Sequence, residues 1–70
     1  MNWNVIEGNW KKFAGTLKEK WGELTDDEIE ELDGSRERLT GLLQEKYGWA
    51  QVEAERTIDE WAESLKEKIS

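Results

Sequence analysis

The run Asp26-Asp27-Glu28-Ile29-Glu30-Glu31-Leu32-Asp33 is the densest group of chemistry-bearing side chains in the sequence. Carboxylates at this density bind hard cations such as Ca²⁺ through their oxygens. An EF-hand loop, however, alternates its ligands and turns at a central Gly, and this run does neither. Acids in a first helical turn also match the helix dipole, with later acids left on a solvated face. Thr25, followed three residues later by Glu28, forms the pattern of a capping box. The run therefore reads as the start of a helix, and no metal is expected. Its candidates for contact with a partner are Asp26, Asp27 and Glu30.

Acid–base catalysis needs carboxylates whose surroundings drive their pKa values apart. A chain of 70 residues leaves little room for such a pocket beside a core. It has no His and no Cys, so the usual general base and the strongest nucleophile are missing. Ser35, Ser64 and Ser70 have no evident base partner, and Ser35 reads as a helix cap. No enzyme, no cofactor and no small-molecule ligand are expected. The five Trp are of the type that stacks on single-stranded nucleic acid. Such platforms need a basic groove, whereas the net charge is −7, so no nucleic acid is expected. Trp10, Trp21 and Trp61 fall on apolar stripes and are assigned to the core. Trp3 and Trp49 stand at element starts and are candidates for an exposed partner-binding patch.

The acidic balance argues equally against an anionic membrane surface. No apolar run approaches the roughly 20 residues of a membrane span, and the N-terminus lacks a basic-then-apolar signal pattern. A cytoplasmic monomer is expected, and the absence of Cys agrees with a reducing compartment. Residues 1–70 make one domain. A chain this short buries only about 60% of its unfolded surface. With disulfides and the usual zinc ligands excluded, packing must carry stability. Each aromatic contributes roughly 150–250 Å² to it.

The elements follow from the spacing of the large apolar residues. Trp3, Ile6, Trp10, Phe13, Leu17 and Trp21 step by three or four, which predicts a helix over 3–21. Asn2 or Asn4 is placed to cap it, Gly8 and Gly15 inside it suggest either a close helix–helix approach or a break near Gly8, and Gly22 follows Lys18 and Lys20 as a C-cap. A second helix, 26–33, starts at the Thr25 box and ends at Gly34. A third, 36–47, is capped by Ser35, buries Leu39, Leu42, Leu43 and Tyr47, and ends at Gly48. A fourth, 50–68, carries Val52, Ile58, Trp61, Leu65 and Ile69 on its stripe, with Ala54 and Ala62 as fillers and Lys66 and Lys68 in its last turn. No alternating β pattern occurs. The fold class is all-α, a four-helix bundle of two packed helical hairpins. Its expected core is Trp10, Phe13, Leu17, Trp21, Leu39, Leu43, Tyr47, Ile58 and Trp61.

A shift of 26 residues superposes the halves, about 8–34 on 34–60. Gly8 falls on Gly34, Gly15 on Gly41, Leu17 on Leu43, Trp21 on Tyr47 and Gly22 on Gly48. Each copy is one hairpin, and Trp21 and Tyr47 are expected to be equivalent corner packers. The acidic run has no acidic copy, since its matching positions hold Val52, Ala54 and Arg56.

The segments Asn9-Trp10-Lys11-Lys12-Phe13-x-Gly15, Lys20-Trp21-Gly22-x-Leu24-Thr25-Asp26-Asp27, Gly34-x-Arg36-x-x-Leu39-x-Gly41 and Gln44-Glu45-Lys46-Tyr47-Gly48 resemble the CsbD-like family of small bacterial general-stress proteins. The similarity spans Trp10 to Trp61. It implies four helices in two hairpins, a soluble protein induced by general stress, and no established enzymatic activity or cofactor. The chain departs from the family pattern at Thr16, Glu23 and Leu42, where a Lys commonly follows the Gly. The absence of Pro, Cys and His and the Glu- and Lys-rich surface also suggest an engineered member of the family. The alternative to a stress-type domain is an interaction module using the acidic face or the Trp3 and Trp49 side chains.

Overall fold

The computed structural model describes residues 3–69, with side chains through Leu65. Five helices follow one another: α1 (Trp3–Gly8), α2 (Trp10–Lys20), α3 (Asp26–Leu32), α4 (Arg36–Tyr47) and α5 (Gln51–Ile69). The all-α class is as expected, and no strand occurs among the described residues. The count of four helices is corrected to five, because the helix expected over 3–21 breaks at Asn9. Asn9 has φ −120° and ψ 35°. Its N–H closes α1 on the carbonyls of Val5 and Ile6, both at 3.2 Å, and its carbonyl opens α2 by accepting from Lys12 at 2.9 Å. Its side-chain amide also donates to the Val5 carbonyl at 2.8 Å. Gly8 is a weak helix former and Asn9 offers the backbone an alternative partner, so the pair interrupts the helix. The apolar stripe survives the break: Ile6, Trp10, Phe13 and Leu17 are buried and Trp3 is half-buried.

Gly22 does not cap α2. Among the described residues, those with positive φ are Asp33, Gly34 and Gly48. At the end of α2 the cap position is Trp21, at φ −123° and ψ 81°, with its N–H bonded to the Leu17 carbonyl. This conformation accompanies a Trp21 side chain that is only 2% exposed. The capping box of α3 is present in both directions, with Glu28 N–H donating to Thr25 Oγ1 at 3.1 Å and Thr25 N–H to Glu28 Oε1 at 3.0 Å. The helix stops at Leu32, one residue short of expectation, because Asp33 turns left-handed. Ser35 caps α4 by accepting from Arg38 N–H, and Gly48 ends it in the left-handed region. Asn2, offered as a cap for α1, lies outside the described residues, as do the side chains of Lys66, Lys68 and Ile69. Asn4 lies within α1.

The most extensive contacts run between neighbours in sequence, α1 with α2, α2 with α3, α3 with α4 and α4 with α5. Of the expected core, Trp10, Phe13, Leu17, Trp21, Leu39, Leu43, Ile58 and Trp61 are buried. Tyr47 is half-buried against them. Ile6, Leu24, Ile29, Leu32 and Leu65 complete the apolar interior with Ala54 and Ala62. Val52 is a correction: it is 70% exposed, while Ala54 turns inward. Leu42 is likewise only half-buried. Trp21 and Tyr47 also differ. Trp21 is sunk in the core beside Trp61, whereas Tyr47 stacks on Trp49 at 4.5 Å, and its hydroxyl accepts from Glu23 N–H at 3.3 Å. The second corner thus leans on the first. Among the described residues no helix is long and apolar enough to cross a membrane.

Candidate functional site

The acidic side of α3 and the groove beside it hold the chemistry of the surface. Glu28 is bound on two sides. Its carboxylate closes the cap on Thr25 and reaches Lys46 at 2.9 Å. The Thr25 backbone N–H first, and then the Lys46 ammonium, hold the Glu28 carboxyl below its ordinary value. Lys46 is raised in turn, chiefly by the bond to Glu28. Asp26 pairs with Lys18 at 2.8 Å, which ties the start of α3 to the end of α2. Asp27 and Glu30 are exposed and have no ion-pair partner among the described residues. Within the same residues no group of three acids is arranged to hold a metal ion.

The two candidate aromatics are held by different partners. The Trp3 Nε1–H donates to the Gly34 carbonyl at 2.9 Å, and its ring lies near those of Trp10 and Trp61. Trp49 stacks on Tyr47, with the ring planes 13° apart.

Two of the grooves along the helix pairs correspond to each other. One lies between α2 and α3, with Trp10, Ala14, Gly15 and Ile29 along it and Lys11, Asp26 and Glu30 at its rim. The other lies between α4 and α5, lined by Arg36, Glu37, Thr40, Gly41, Gln44 and Glu55 among others. The 26-residue repeat relates them. Trp10 corresponds to Arg36, Lys11 to Glu37, Ala14 to Thr40, Gly15 to Gly41 and Ile29 to Glu55. Even the lock across each groove repeats. The Trp10 Nε1–H donates to the Ile29 carbonyl at 2.8 Å, and the Arg36 guanidinium donates to the Glu55 carbonyl at 3.4 Å.

Arg36 carries part of the family resemblance in the sequence, but no role was expected of it. It pairs with Asp59, donates to Glu55 and lies 5.7 Å from the centre of the Trp3 ring, so it joins α1, α4 and α5. The signal that finds it is the repeat, which sets it on Trp10.

A family model described as CsbD-like matches residues 4–56. A UPF0337 protein of Rhodopseudomonas palustris is 50% identical over 66 residues, covering 94% of this chain and 100% of that protein. A UPF0337 protein of Pseudomonas aeruginosa is 46% identical over 65 residues, covering 93% of this chain and all of that protein. The UPF0337 protein YjbJ of Escherichia coli K12 is 44% identical over 61 residues, 87% of this chain and 88% of that protein. No solved structure matches. An engineered origin finds no support in these matches.

Proposed function

The chain belongs to the CsbD-like family, and on that footing we propose that it is a non-enzymatic helical domain of the bacterial stress-response type, a cytoplasmic monomer of two helical hairpins. The observation that carries the reading is the extent of the family match, which runs from α1 into the first turns of α5. The polar contacts agree with it. Glu28, Lys46, Asp26, Lys18 and Ser35 are engaged in capping and in joining helices, which are structural tasks. Protein levels in the organism that encodes the chain, followed through salt shock and entry into stationary phase, test the reading. A rise is expected, and a level that stays constant through both would overturn it.

A second reading, a protein-interaction module, is favoured by the exposed carboxylates of Asp27 and Glu30 beside the α2–α3 groove. On this reading the acidic side of α3 is the contact surface.

A further inference from the structure

Asp33 is the one Asp in the sequence that a Gly follows. That pair carries a latent covalent step. An Asp carboxyl carbon can be attacked by the nitrogen of the next residue, which closes a five-membered ring. A side chain on the next residue hinders the approach, and glycine has none. Ring closure joins the Gly34 nitrogen to Asp33 Cγ. The nitrogen loses its proton, the protonated carboxyl loses its hydroxyl, and the two leave together as water. Water then opens the imide. Where it adds at the main-chain carbonyl of Asp33, the chain afterwards runs through Cγ, the residue is isoaspartate, and the mass is unchanged.

The fold holds the two reacting groups apart. Asp33 is exposed, and its carboxylate has no ion-pair partner among the described residues. Its backbone is the obstacle. At φ 48° and ψ 38° the Gly34 nitrogen lies roughly opposite the Asp33 Cβ about the Cα–C bond, so the carboxyl carbon does not reach it. Ring closure requires a large rotation about that bond. Contacts on both sides oppose the rotation. The Asp33 N–H is bonded to the Glu30 carbonyl at 3.2 Å and the Ser35 N–H to the Leu32 carbonyl at 2.9 Å. The Gly34 carbonyl accepts from the Trp3 Nε1–H at 2.9 Å. Gly34 itself is buried, with Glu7 lying against it. The last two contacts both come from α1.

We propose that Asp33–Gly34 is a modification site, an isoaspartate-forming bond that α1 keeps closed. When α1 lifts from the α3–α4 turn, the Asp33 ψ angle is released and the ring closes. Isoaspartate adds a carbon to the main chain. A turn lengthened in this way no longer seats Gly34 under Glu7 or presents its carbonyl to Trp3, so the modified chain does not re-form the joint. The modified fraction accumulates with the time that the joint spends open.

The test incubates the full chain at neutral pH in buffer and in guanidinium chloride, then cleaves it with trypsin. The tryptic peptide Trp21–Arg36 carries Asp33. Its isoaspartate form separates by chromatography at equal mass, and fragmentation locates the residue. In denaturant the isomer is expected at Asp33 and not at Asp26 or Asp27, whose following residues carry side chains. In buffer it is expected to form at least about a hundredfold more slowly, the factor for an opening of about 2.8 kcal/mol. Trp3→Phe removes the bond to the Gly34 carbonyl and is expected to raise the rate in buffer about fivefold, the factor for a hydrogen bond of about 1 kcal/mol. Hydrogen exchange of the Ser35 N–H, whose bond breaks in the same opening, gives the open fraction without a variant. That fraction multiplied by the rate in denaturant is expected to reproduce the rate in buffer. No isomer at Asp33 in denaturant would overturn the proposal, because the bond would then be unreactive. A rate in buffer equal to that in denaturant would show that the fold does not hold it closed. An unchanged rate in folded Trp3→Phe would remove α1 as the element that does so.

Discussion

The buried indoles of Trp21 and Trp61 hold their Nε1–H groups without a hydrogen-bond acceptor among the described residues. Their rings sit 5.5 Å apart and 57° from parallel, a geometry in which the edge of one ring meets the face of the next. Trp10 differs, since its Nε1–H is bonded to the Ile29 carbonyl. A buried donor without an acceptor is costly, and a net hydrogen bond contributes about 1 kcal/mol. Trp10→Phe is therefore expected to destabilise the protein by about 1 kcal/mol more than Trp61→Phe, because only the first loses a bond. Urea unfolding of the two variants checks this, and equal losses would contradict it. At this scale the sequence was informative about which side chains go inside, because the helical period marks Trp10, Leu17, Leu43 and Trp61 directly. It was silent on how the Trp10 N–H is satisfied, since its partner is a backbone carbonyl on another helix. The Trp3 bond to Gly34 shows the same limit, as it links residues 31 positions apart.

Among the elements, the α3–α4 turn is the tightest joint. Asp33 and Gly34 are both left-handed, with φ 48° and 82°. A Cβ at Gly34 would stand 2.6 Å from Cγ and 3.1 Å from Cα of Glu7, so α1 rests directly on this glycine. Gly34→Ala combines an unfavourable φ with displacement of the α1 backbone, and is expected to cost about 2 kcal/mol. Gly41→Ala meets no obstruction and is expected to stabilise α4 by about 0.5–1 kcal/mol. Thermal melts of the two variants should move in opposite directions. The capping residues Thr25 and Ser35 were legible because their chemistry is local. The break at Asn9 was only half legible. Gly8 hinted at it, but the apolar stripe runs through the break without a change of period, so periodicity alone joins α1 and α2. Gly22 misled for a related reason. The end of α2 is decided by the burial of Trp21, a tertiary contact, and the Lys-then-Gly pattern carries no trace of it.

Across the whole molecule, the Lys46–Glu28 bridge joins the end of α4 to the start of α3. Glu28 is lowered from its ordinary value, so its contribution is present above that value and is lost as pH falls through the folded one. Lys46 is raised, so its contribution is present below its ordinary value and is lost as pH rises through the folded one. Glu28→Gln keeps the reach of the capping box but removes the charge. The variant is expected to be less stable than the parent at neutral pH, with the gap closing as pH falls through the lowered Glu28 value and only narrowing as pH rises through the raised Lys46 value, because the Thr25 N–H still holds the carboxylate. Urea midpoints measured across the pH range check this, and a gap independent of pH would contradict it. The repeat was legible in sequence at this scale, and it returns in the structure as paired grooves and paired cross-groove bonds. The bonding role that Arg36 shares with Trp10 was not, because the two residue types share no chemistry except a donor N–H.

The rings of Trp10, Trp3, Trp61 and Trp21 form a chain with successive centroids 6.3, 6.1 and 5.5 Å apart. Chromophores this close and this tilted do not absorb independently. Their excited states couple, and an excitation delivered to α1 is shared with α2, α5 and the α2–α3 connection before it is emitted. Parting α1, α2 or α5 from the others breaks that coupling, so a single optical signal, the near-ultraviolet circular dichroism, reports on how these three helices sit together.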